Sequence, residues 1–170
     1  MSILALSTPQ SRAGLVRWWP LAAWLVAGVI VAVVIGPRGL HAPDWRPVVT
    51  APLPVQIHLG TVLMALAAGG YLMLGPKGRL VHRTLGWLWS ICMLTAAAAS
   101  LFIHTTGGFS LLHILSIVVL TNVPMALYAA RRHNVATHSK TMTGVFTGGL
   151  LLAGTFAFLP GRLLWQVFFG

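Results

Sequence analysis

Four histidines, His58, His82, His113 and His138, stand at the ends of apolar runs in a chain of 170 residues that holds seven histidines in all. His58 opens the run from Ile57 and His113 the run from Leu111, while His82 opens the run from about Thr84 and His138 precedes the run from Thr141. If these runs cross a membrane in turn, His58 and His113 fall at its outer mouth and His82 and His138 at its inner one. Neutral imidazole ligates metal through either ring nitrogen, and haem iron accepts one imidazole on each face. An outer pair and an inner pair would then hold two b-type haems stacked across the bilayer. Iron with two histidine ligands has no open coordination position, so the chemistry expected is electron transfer. A quinone or a small oxidant would dock at one mouth as donor or acceptor.

Other readings of the same residues stay open. A single interfacial histidine is usually solvated or hydrogen-bonded; four in alternating register ask for more. His104 also falls at the outer mouth and His133 at the inner. His104 with His58 and His113 could form a three-histidine site for zinc or copper, which would leave the inner histidines unexplained. A different class is a cofactor-free membrane protein, either a small transporter or an assembly partner of another complex. Asn122 and Pro124 would then mark a solute path.

Composition decides the solvent. The chain is 57% hydrophobic and 7% charged, with a mean hydropathy of +0.86, so lipid is the expected medium. The net charge of +10 sits in short links between apolar runs, where positive-inside topology puts it, and not on one face as nucleic-acid binding needs. Asp44 is the only carboxylate side chain, which excludes a carboxylate proton relay and a calcium or magnesium cage. The single cysteine, Cys92, excludes an internal disulfide and reads as an apolar filler.

The elements that must position the histidines follow from the apolar runs. We expect an all-α integral membrane protein with five transmembrane helices, a four-helix core bundle preceded by one N-terminal span. Residues 1–17 form a basic tail and 18–35 the first span, whose length and missing cleavage site argue against a signal peptide. Residues 36–56, with five of the ten prolines, form an extended outer loop that reads as a spacer. Residues 57–159 form the bundle, with spans at about 57–74, 84–103, 111–130 and 141–159. Residues 160–170 form an interfacial tail anchored by Trp165. Gly69-Gly70, Ala96–Ser100, Gly144 and Gly148 are expected at close helix contacts, and Asn122 and Pro124 are expected to face the bundle. Eight cations fall at one mouth and three at the other. That asymmetry puts the amino terminus in the cytoplasm and the carboxyl terminus outside a bacterial inner membrane. Lys77 and Arg83 at the inner mouth read as topology signals that could also attract an anionic partner or a haem propionate.

The elements Ile57-His58-Leu59-Gly60, Leu74-Gly75-Pro76, His82-Arg83-Thr84-Leu85-Gly86 and His138-Ser139-Lys140-Thr141-Met142 resemble the bacterial membrane family called domain of unknown function 2306. The resemblance covers about 57–154, and His-Arg-x-x-Gly is its most specific part. It implies a fold more than an activity. The arrangement is also similar to transmembrane di-haem cytochromes b, in which alternate helices of a four-helix core supply the ligands. That similarity implies His58 and His113 for an outer haem, and His82 and His138 for an inner one.

Overall fold

A computed structural model describes residues 42–103 and 111–169. The tail at 1–17, the span expected at 18–35, the first part of the Pro-rich loop and His104 lie outside the described residues. The remainder is helical: α1 (Arg46–Val49), α2 (Leu53–Leu74), α3 (Leu80–Ser100), α4 (Leu111–Arg131), α5 (Val135–Gly144), a π-helical segment (Val145–Leu152), α6 (Ala153–Phe156) and α7 (Leu163–Phe169). No strand occurs among the described residues.

Helix α2 starts four residues before the boundary read from the sequence. Pro54 stands in its first turn, where the missing N–H would have had no partner and the ring's fixed φ suits a helix. The opposite end of α2 is closed by a side chain. Lys77 Nζ donates to the carbonyls of Leu72 (2.6 Å), Met73 (2.8 Å) and Gly75 (3.1 Å), groups that the last helical turn leaves without partners. Gly78, at φ 76°, then turns the chain into α3.

Helix α4 ends in the same economical way. His133 adopts φ 58°, and the Asn134 N–H returns to the Ala129 carbonyl at 2.9 Å. The Asn134 side chain then accepts the Thr137 N–H at 3.1 Å and caps α5. His133 is thus an exposed residue of a helix-ending turn. Helix α5, the π segment and α6 follow one another without a break, so the last helix of the bundle starts at Val135, six residues earlier than its apolar run indicates.

Helices α2 and α3 pack along their length, α3 packs on α4, α4 on α5 and the π segment, and the π segment returns to α2. The buried residues recur at helical spacing: Ala65, Ala68 and Leu72; Trp89, Cys92, Met93 and Ala96; Val119, Val123 and Ala126. Most are small, so backbones approach closely. The tightest point is Gly69, whose Cα lies against the Phe146 and Trp89 rings. Gly149 makes a second close approach, to Val119. Gly144 and Gly148 do not: a Cβ on either would meet nothing within 4 Å among the described residues, because the helix face that carries them turns into a groove. Pro124, expected to face the bundle, is exposed. Cys92 is buried in the core, as expected of an apolar filler.

The end of the Pro-rich loop is more than a spacer. The Asp44 N–H donates to the Val167 carbonyl at 2.9 Å, and the Trp45 ring meets Phe168 edge to face at 6.0 Å. Val167 is fully buried. The C-terminal residues form helix α7 against α1, and Trp165 rests on Phe169 at 4.9 Å.

Candidate functional site

All four alternating histidines lie within the first turns of helices. His58 is the sixth residue of α2, His82 the third of α3, His113 the third of α4 and His138 the fourth of α5. His58 and His138 are therefore inside helices, where the apolar runs alone put them at the margin or in a link.

His58 Nδ1 donates to the Ala96 carbonyl of α3 at 2.8 Å. At the other end of the bundle, His138 Nδ1 donates to the Ala126 carbonyl of α4 at 2.9 Å. A carbonyl only accepts, so each ring carries a proton on Nδ1, which leaves Nε2 as the nitrogen a ligand role would use. Both rings reach from near the start of one helix to the late turns of its antiparallel neighbour. This is the arrangement in which a histidine with a fixed tautomer serves as a ligand, since the carbonyl orients the ring and raises the basicity of the far nitrogen.

The partners differ in setting. His113 is buried, and one turn further along α4 the Ser116 hydroxyl pairs with Ser100 of α3. Helix α3 therefore receives His58 and Ser116 near the same end, one from each side. His82 is half-buried and stands before the apolar part of α3. Burial, and then the charges of Lys77 and His138, hold its imidazole below the ordinary histidine range. His82 and His138 thus share an electrostatic neighbourhood at one end of the bundle. Lys77, which the sequence offers as a topology signal that could also attract an anion, places its ammonium protons on the end of α2.

No cluster of three or more histidine, cysteine or acidic side chains occurs among the described residues, so the three-histidine alternative, which needs His104, lies outside them. No histidine lines either of two grooves on the helix surface, the smaller of them beside Trp87. A groove of about 530 Å³ runs between α4 and the α5–π helix, past Val118, Asn122, Thr141, Gly144 and Gly148. Sequence reasoning picked these glycines and Asn122, but assigned them to helix contact and to the bundle interior. Asn122 is half-buried on the groove, with its Nδ2 donating to the Val118 carbonyl at 2.8 Å.

Fold and site together define an all-helical protein with histidines near the starts of its helices. Two of those helices, Leu53–Leu74 and His113–Arg131, are long and apolar enough to cross a membrane. Compared with protein-family models, curated proteins and solved structures, the chain gives no match in any of the three.

Proposed function

We propose that the protein is a small multi-pass protein of a bacterial inner membrane that holds b-type haem on histidine pairs and passes electrons between a quinone or small oxidant and a partner. The orientation carried with this reading is amino terminus inside and carboxyl terminus outside. Membrane embedding is supported by the exposed faces. Only 22% of the apolar window of α2 and 33% of that of α4 is buried, where the core helix of a water-soluble protein would hide most of its apolar side chains. Leu63, Met64, Ile91, Ile117 and Met125 all point outward. Helix α3 is interrupted by polar residues and the last helix by its π segment, and in this reading both cross beside the other two.

The observation that carries the haem reading is the matched pair of Nδ1 bonds, His58 to Ala96 and His138 to Ala126. The donor chemistry fits: each ring is oriented through Nδ1 by a backbone carbonyl, and its neutral form would offer Nε2 to iron. His58 with His113 would hold haem at the outer end, and His82 with His138 at the inner end. Haem held by two imidazoles supplies one-electron transfer. The chain's own part is to fix the imidazole tautomers, keep water away with the apolar faces of α2 and α4, and offer cations at the inner end.

The test is a reduced-minus-oxidised spectrum of the full chain purified from haem-replete cells. The expected result is a red protein with a low-spin Soret and alpha band and about two haems per chain. His58→Ala and His113→Ala should each remove the outer haem alone, and His82→Ala and His138→Ala the inner one alone. A colourless protein overturns the reading. It would leave the cofactor-free alternative, a small transporter or assembly partner, which the groove on α4 favours.

A further inference from the structure

The groove between α4 and the α5–π helix has a polar end and an apolar track. Thr137, Lys140, Thr141, Gly144 and Gly148 fall on one face of the last helix at helical spacing, and Asn122 faces them from α4. Several threonines of the bundle turn their hydroxyls back on their own helices, Thr61 to Ile57, Thr84 to Leu80, Thr121 to Ile117 and Thr147 to Thr143, while Thr95 and Thr143 do not. The hydroxyls of Thr137 and Thr141 make no such bond, so both remain available where the groove opens. Beyond them Gly144 and Gly148 keep the floor bare, since among the described residues nothing lies within 4 Å of where a Cβ would stand.

The charge at this mouth has no counterpart in the chain. Lys140 is exposed, and Asp44, the protein's only carboxylate side chain, lies at the opposite end of the bundle, where it pairs with Arg46 at 3.7 Å. An anion that pairs with Lys140 would therefore come from outside the chain. A volume of about 530 Å³ is in the range of small-molecule sites. A cation and two free hydroxyls beside a smooth apolar channel suit a molecule with an anionic head and a long hydrocarbon tail.

We propose that this groove is a binding site for one anionic phospholipid of the inner leaflet, with its phosphate on Lys140, Thr137 and Thr141 and an acyl chain laid along Gly144 and Gly148. The site rests on the membrane reading above and is independent of haem. It differs from general attraction to an acidic surface because one lysine and one helix face carry it.

The test uses the full chain in detergent and native mass spectrometry with added phosphatidylglycerol or phosphatidylcholine of the same acyl length. Wild type should retain one phosphatidylglycerol in preference to phosphatidylcholine, and soluble glycerol phosphate should not displace it. Lys140→Gln should reduce the preference by about fivefold, the effect of one cation near an anionic lipid surface. Arg79→Gln, at the same end but off the groove, should leave it unchanged. Gly148→Leu, which fills open space, should abolish retention of both lipids without altering the helical circular dichroism or the melting temperature. Equal retention of the two lipids, an equal loss in Arg79→Gln, or full retention in Gly148→Leu would overturn the site. So would a Gly148→Leu variant whose main change is loss of a dimer, since the groove would then receive a second copy of the chain. Failure of the membrane reading would show separately, as a chain that salt or alkali washes from the membrane fraction.

Discussion

Gly69 of α2 lies so close to Phe146 of the π segment that a Cβ on it would stand 2.5 Å from Phe146 Cε2 and 2.7 Å from the Trp89 indole nitrogen. That one hydrogen-sized position lets three helices meet. Phe146 is fully buried, and the Trp89 Nε1 proton is enclosed there with no hydrogen-bond partner among the described residues, so neither ring has room to retreat.

Gly69→Ala should therefore destabilise the bundle by about 1–3 kcal/mol through overpacking. Gly148→Ala, the same change on a bare face, should be close to neutral. Melting of both variants in detergent checks this. Equal losses, or a larger loss at Gly148, would show that the three helices do not meet at Gly69.

The histidine bonds to Ala96 and Ala126 are interhelical struts whether or not haem is present. In protein made without haem, His58→Ala and His138→Ala should each cost about 1 kcal/mol, the net contribution of one hydrogen bond. In haem-loaded protein the loss should be larger, because a ligand bound only to the folded state adds its own binding free energy. Thermal melts of both preparations give the two values. Equal losses would assign the histidines to packing alone.

Lys77→Met should weaken the end of α2 by about 1 kcal/mol, since the cation and its bonds to the last carbonyls disappear together. Hydrogen exchange should rise at Tyr71–Gly75 and stay unchanged in the middle of the helix. Arg79→Met, a nearby exposed cation with no role in that cap, should leave the same amides protected. Matching exchange in both variants would remove the cap from the account of α2.

The sequence by itself determined the composition of the interior and the order of the helices. Apolar runs interrupted by Gly75-Pro76 and by Arg131–Asn134 can only be helices joined by tight turns, and the lone carboxylate and lone cysteine exclude whole classes of chemistry without any coordinates. The alternation of His58, His82, His113 and His138 was equally legible, since it needs only the direction of successive helices. What the tertiary structure decided was how each helix end is built and which face each small residue occupies. Pro54 was read as a loop residue, because nothing local says whether a proline falls in a first turn or outside the helix. Gly69, Gly144 and Gly148 look alike in sequence. They part company because the π segment brings Phe146 against the first and turns the other two into a groove. Lys77 reads as a free surface cation until the end of α2 is in place beneath it, and the proton on His58 Nδ1 is fixed only by a carbonyl 38 residues away in the chain. Burial, close approach and long-range hydrogen bonds depend on neighbours distant in sequence, so only the packed bundle could assign them.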